Sequence, residues 1–138
     1  MNIDSIKNGY VIDHIKAGNA MKIYELMNLN KLDSQVAIIT NAKSMKTGRK
    51  DIIKIDQNID INLDELGFID PGCTVNVVRN DVIVEKKKLS LPDKIVNVAK
   101  CKNPRCITSV EGHLDQIFIL TDRENKVYRC KYCEMSLK

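Results

Sequence analysis

The chain has 138 residues, 43% of them hydrophobic and 29% charged, enough apolar content for a core in one ordinary domain or two small ones, and too much for a wholly disordered chain. Net charge is +4, with 13 basic against 12 acidic residues up to position 88 and 9 against 6 beyond it, a weaker basic excess than a nucleic-acid surface usually carries. No stretch reaches the roughly 18–20 apolar residues that span a bilayer, and Met1-Asn2-Ile3-Asp4 lacks the basic-then-apolar block of a signal peptide, so the expectation is a soluble cytoplasmic protein.

Residues 10–16 (Tyr-Val-Ile-Asp-His-Ile-Lys) are rich in β-branched and apolar side chains and read as a strand. Gly18-Asn19 opens a helical stretch with apolar residues at Ala20, Ile23, Tyr24 and Met27, close to a 3.6 period. Residues 35–40 form a second strand. The polar loop 41–47 then leads through Gly48 to a third at 50–55. A short helix at 62–66 and the turn Asp70-Pro71-Gly72 precede two strands, 74–78 and 82–86, joined through Arg79-Asn80-Asp81. The order β-α-β-β-α-β-β predicts an α+β fold, a ferredoxin-like (split βαβ) domain with one further strand.

Beyond the connector Leu89-Ser90-Leu91-Pro92 the chain carries strand-like pieces at 95–99, 117–121 and 127–129 and four of its five cysteines. The expected division is a first domain at 1–88, a connector at 89–99 and a small antiparallel β domain at 100–138. Cys101, Cys106, Cys130 and Cys133 read as C-x4-C and C-x2-C, two close pairs able to converge on a tetrahedron. Four thiolates suit a structural Zn²⁺ and leave no open position for water; disulfides and an iron–sulfur centre are the alternatives. So small a unit buries little core, so the metal would supply much of its folding free energy. Cys73 stands alone and reads as a half-buried thiol.

On the third strand Lys50, Ile52 and Lys54 share one face, with Ile53 and Ile55 on the other. Two ammonium groups facing outward suit a polyphosphate, although on charge patterning alone they read first as ordinary solvated lysines. Asp13 and His14 are neighbours on a strand, so they should point to opposite faces and form no acid–base dyad. His14 also reads as a partly buried histidine with ordinary hydrogen bonds.

Gly9-Tyr10-Val11-Ile12-Asp13-His14-Ile15, Gly48-Arg49-Lys50-Asp51-Ile52-Ile53-Lys54-Ile55, Leu89-Ser90-Leu91-Pro92, Cys101-Lys102-Asn103-Pro104-Arg105-Cys106 and Arg129-Cys130-Lys131-Tyr132-Cys133 fall in a distinctive order and spacing. In these segments the chain resembles the aspartate carbamoyltransferase regulatory chain, over nearly its whole length. The resemblance implies a non-catalytic subunit in de novo pyrimidine biosynthesis. Its first domain would bind nucleoside triphosphates (CTP, UTP, ATP) as allosteric effectors. Its zinc domain would dock on the catalytic chain, and regulatory-chain homodimers would bridge catalytic trimers.

The resemblance also implies a nucleotide pocket lined by Val11, Asp13, His14, Lys50, Ile52 and Lys54. Ile3, Asp4, Ser5 and Ile6 would help to hold the base, and Ser44, Asn76, Val78, Ile83 and Lys86 fall on further pocket positions. At Asp81, where relatives may carry a tyrosine beside the base, the aspartate supplies no aromatic face. Asn103 and Glu134 match positions that contact the catalytic chain, and Arg105 stands at such a position where relatives can have an asparagine; Asn103 and Glu134 also read as exposed loop residues. The rival readings are a zinc-ribbon nucleic-acid-binding protein and a stand-alone enzyme. The first has only Phe118, Tyr128 and Tyr132 among scattered cations to stack on bases, and the second shows no activated nucleophile or open metal position.

Overall fold

The computed structural model describes residues 6–46 and 48–137. The chain divides into two compact units, one ending at Ser90 and the other beginning at Leu91. In the first unit the elements are β1 (Gly9–Lys16), α1 (Ala20–Leu26), a 3₁₀ turn (Leu29–Lys31), β2 (Val36–Ser44), β3 (Gly48–Ile55), α2 (Leu63–Ile69), β4 (Thr74–Arg79) and β5 (Val82–Lys88). The strands pair antiparallel in the order β2-β3-β1-β4-β5, which is the ferredoxin-like arrangement with β5 added outside β4.

Alternation along the strands sends one set of side chains inward. Ile12 and Ile15 of β1, Ile53 and Ile55 of β3 and Val75 of β4 are buried with Ala20 and Ile23 of α1 and Leu66 of α2. Both helices therefore cover one face of the sheet. No described helix of this unit covers the other.

Two departures from regular pairing shape that open face. Ile12 and Ile15 are three residues apart, so a flat strand would send them to opposite sides. An extra residue breaks the register between them, with His14 at φ 57°, and both isoleucines enter the core. The loop expected at 41–47 is largely strand, because β2 continues to Ser44 past a second irregularity at Asn41. Asp51 makes this possible by accepting the Asn41 backbone N–H at 3.0 Å.

Asp51 is fully buried and also accepts the N–H groups of Gly18 (3.0 Å) and Ala20 (3.2 Å), closing the start of α1 where Asn19 provides no side-chain cap. Asp70, also buried, accepts the Lys16 N–H at 2.7 Å and the Asn19 amide at 3.4 Å. The helix expected at 62–66 runs on to Ile69, and Asn62 caps it by accepting the Glu65 N–H at 3.1 Å. The β4–β5 connection is a two-residue turn with Asn80 and Asp81 both left-handed (φ 51° and 67°), a conformation that matches the twist of a hairpin.

In the second unit β6 (Lys94–Val96), β7 (Ile117–Asp122) and β8 (Val127–Cys130) form a sheet in that order, with a one-turn helix α3 (Ile107–Val110) that the sequence pattern did not signal. The strand expected at 95–99 stops at Val96 because Asn97 turns left-handed (φ 58°). Asn97 is fixed there by bonds to Gln116 at 2.8 and 2.9 Å and to Asp115 at 3.0 Å. The core is small: Leu91, Ile95, Phe118, Tyr128 and two cysteines. The Tyr128 hydroxyl donates to the Pro92 carbonyl, and Arg123 donates to the Leu91 carbonyl at 2.7 Å.

Candidate metal centre and binding face

The second unit gathers all four clustered cysteines. The Sγ atoms of Cys101, Cys106, Cys130 and Cys133 lie within 4.8 Å of one another. Cys101 and Cys133 are 3.5 Å apart and Cys106 and Cys130 3.6 Å. A disulfide would require about 2.05 Å, and among the described residues every cysteine is free. Four thiolates around one Zn²⁺ at about 2.3 Å would stand about 3.8 Å apart, so these sulfurs already sit near a tetrahedron's corners.

Local backbone chemistry builds each half of the cage. In the first knuckle the Asn103 side chain accepts the Arg105 N–H at 3.0 Å, while its carbonyl accepts the Cys106 N–H at 3.1 Å and the Ser109 hydroxyl at 2.8 Å. Cys101 is tied to the sheet by its N–H to Gln116 at 3.0 Å. In the second, Glu134 is left-handed (φ 64°) and returns the chain so that the Met135 carbonyl accepts the Cys130 N–H at 3.0 Å.

The thiols are not equivalent. The buried Thr108 hydroxyl, 3.1 Å from Cys106 Sγ, holds that thiol below the ordinary cysteine value. The Met135 N–H and the Asn103 side chain bring Cys133 down to about 6. Burial and the neighbouring thiols push Cys130 up. Four anions this close cannot all ionise without a cation between them, so the donor set fits a doubly charged, thiophilic ion. Cys73 takes no part. It is fully rather than half buried, and burial, helped by the charge of Asp70, pushes its thiol up to about 12.

On the first unit the strand register assembles a second constellation. Lys54, Val11, Asn76 and Lys86 form one continuous row across β3, β1, β4 and β5. Asp13, Thr74 and Lys88 form the next row, and Gly9, Val78 and Ile83 the row on the other side. Ile52 and Lys50 alternate with the buried Asp51 and Ile53 and share this face. Nine of the expected pocket residues (Val11, Asp13, Lys50, Ile52, Lys54, Asn76, Val78, Ile83 and Lys86) thus lie on the helix-free side of the sheet.

Asp13 and His14 do not diverge as adjacent strand residues should. The bulge turns both toward the open face: Lys50 Nζ lies 3.0 Å from Asp13 Oδ1, and His14 Nδ1 lies 3.1 Å from the Thr74 hydroxyl. The Asp13 carboxylate accepts the backbone N–H of His14 at 2.6 Å, so no carboxylate–imidazole dyad forms. Burial opposes the charge on Asp13, but Lys50 and the His14 N–H outweigh it and hold the carboxyl below its ordinary range.

Ser44 and Asp81 sit at opposite ends of the sheet, on the β2–β3 and β4–β5 hairpins. The Asp81 N–H donates to the Lys7 carbonyl at 3.0 Å, which places the buried Ile6 close to this turn. Ile3, Asp4 and Ser5 lie outside the described residues. The sequence reading missed Thr74, Lys88 and the buried Asp51. The last was visible in principle, since period-two alternation through Asp51, Ile53 and Ile55 puts all three on the core face.

Two family models cover the chain: the aspartate carbamoyltransferase regulatory chain allosteric domain over residues 1–90, and the metal-binding domain of the same chain over residues 93–138. Among curated relatives, the aspartate carbamoyltransferase regulatory chain of Clostridium botulinum is 54% identical over 97% of this chain and 92% of its own length. That of Clostridium tetani is 49% identical over 97% and 94%, and that of Bifidobacterium longum 46% identical over 100% and 99%. With a ferredoxin-like unit and a four-thiol unit in matching order, the chain belongs to the aspartate carbamoyltransferase regulatory chain family and is a regulatory, non-catalytic subunit.

Proposed function

We propose that the open face of the first unit binds nucleoside triphosphates (CTP, UTP and ATP) as allosteric effectors. The second unit, folded around one structural Zn²⁺ held by Cys101, Cys106, Cys130 and Cys133, docks on the aspartate carbamoyltransferase catalytic chain in the cytoplasm. The observation that carries this reading is the row Lys54–Val11–Asn76–Lys86 on a sheet face without helices. It offers ammonium groups for phosphate oxygens, an amide for a ribose or base edge, and apolar surface for a ring.

The bound ion supplies closure of the four-thiolate cage and no chemistry toward substrate, because all four positions belong to sulfur. The loops between the ligands have little structure of their own. They carry Asn103, Arg105 and Glu134, the residues assigned here to the catalytic-chain contact. Regulatory-chain homodimers bridge catalytic trimers, and effectors shift the assembly only by their differential affinity for its states. This is feedback on an early step of pyrimidine biosynthesis.

The test is to mix the chain with its cognate catalytic trimer, with and without zinc, and to titrate CTP into the product. A larger complex forming only with zinc, with CTP binding that is lost in Lys50→Ala/Lys54→Ala while assembly persists, is the expected result. No complex in the presence of zinc sinks the docking assignment. Unchanged CTP binding in the double variant sinks the effector site.

A further inference from the structure

The four-thiol cage has a dry side and an open side. Cys106 and Cys130 are each 2% exposed, whereas Cys101 and Cys133 are only partly buried. Four thiolates around one doubly charged ion leave surplus negative charge on the sulfurs, and on a buried sulfur that charge needs hydrogen-bond donors from the protein. Cys133 has the Asn103 side chain and nearby solvent. On the dry side stands Thr108, 3% exposed, with its hydroxyl 3.1 Å from Cys106 Sγ and its backbone N–H directed at the same sulfur. The only other buried hydroxyl among the described residues of this unit is that of Tyr128, which is spent on the Pro92 carbonyl. The first turn of α3 creates the approach. Cys106 is its N-cap, and the Cys106 carbonyl accepts the N–H groups of Ser109 at 2.9 Å and Val110 at 3.2 Å, which folds residue 108 back over the sulfur.

Resting on the zinc reading of this cage, we infer that Thr108 is a positioning residue for the metal: its hydroxyl donates to the Cys106 thiolate, spreads the surplus charge on the buried side and so sets how firmly the ion is held. Between a hydroxyl and a free thiol either atom can be the donor. A metal-bound sulfur carries no proton, so loading fixes the direction from hydroxyl to sulfur. The bond then ends on an anion and is stronger than its neutral counterpart, which favours the loaded state over the empty one. The same bond ties α3 to the cage, a helix of four residues that is too short to hold itself.

The test compares the full chain as wild type, Thr108→Val, Thr108→Ser and Thr108→Ala, with Zn²⁺ affinity measured by competition against a chromophoric chelator. The hydroxyl is read twice, as Thr against Val at nearly constant shape and as Ser against Ala in a smaller frame, so a misfolded Val variant still leaves one pair to decide. In each pair the member lacking the hydroxyl should bind zinc about tenfold more weakly and surrender it faster to excess chelator. In the cobalt(II)-loaded chain its sulfur-to-metal charge-transfer band should move to longer wavelength, because a thiolate without its donor holds its electrons less tightly. That shift is one that lost packing alone would not produce. Equal affinities and unshifted bands within both pairs would overturn the inference. A loss common to Val, Ser and Ala, with no difference between Ser and Ala, would make Thr108 a packing residue and overturn it as well. If the wild type takes up neither zinc nor cobalt, it is the zinc reading itself that fails.

Discussion

The Asp51 carboxylate meets the Gly18 backbone N–H at 3.0 Å, so a side chain from the middle of β3 terminates a helix that begins more than thirty residues earlier in the chain. The same carboxylate also serves Ala20 and Asn41. Asp51→Ala strands three donors in or near a dry core, each unmet donor costing about 1–3 kcal/mol. Equilibrium denaturation should show a loss of roughly 3 kcal/mol or more, with Asp51→Asn intermediate. A loss under about 1 kcal/mol in the alanine variant would mean that water or a rearranged backbone replaces the carboxylate.

Removing the metal should dissolve one unit and spare the other. The second unit has a core of a few residues, and a structural zinc typically contributes about 10–16 kcal/mol of apparent folding free energy. Amide spectra of the chelated chain should lose dispersion for residues 91–137 while Ile53 and Val75 keep theirs. Zinc affinity should also weaken as pH falls, because four thiols must give up protons to become ligands. A pH-independent zinc affinity would contradict the four-thiolate site.

Gly9, at the start of β1, lies hard against the backbone at the end of β3. A Cβ there would stand 1.9 Å from the Ile55 carbonyl oxygen and 2.9 Å from the Gln57 nitrogen, a collision with backbone that no rotamer relieves. Gly9→Ala should cost about 1–3 kcal/mol and open this end of the β1–β3 ladder, read as faster amide exchange at Tyr10 and Ile55. Wild-type exchange at those two amides would show that the strands separate without penalty.

Cys73 should behave as an inert thiol. Burial raises its value from 9.0 to about 12, so the native state keeps a proton that the unfolded chain gives up. The stability tied to the neutral thiol is complete below pH 9 and is lost as pH climbs through about 12. In zinc-loaded protein near neutral pH, alkylation of Cys73 should proceed at the rate of unfolding. Prompt labelling under native conditions would disprove its burial.

Much of this molecule could be read from residue order, and what could not has identifiable causes. Period-two alternation at Lys50–Ile55 placed the lysines outward and the isoleucines inward, and the cysteine spacing implied a single centre. The bulge at His14 was hidden because a local pattern cannot show an inserted residue; only the demand that Ile12 and Ile15 share one core reveals it. The continuation of β2 through Asn41 was hidden for a related reason, since polar residues at 41–46 read as loop until Asp51 is known to satisfy the irregular backbone. Helix α3 is four residues long, too short for a 3.6-residue period to declare itself.

The left-handed pair Asn80–Asp81 has a bearing on how this chain could diverge from its kin. A backbone at φ 67° admits glycine, asparagine or aspartate readily and bulky aromatics poorly. The identity of the side chain at the β4–β5 turn is therefore chosen by the geometry of a tight reversal before any partner is consulted. On the proposed effector reading, a bulky aromatic could be placed at this turn only by remaking the reversal as well, so that ligand preference and chain closure would have to change together.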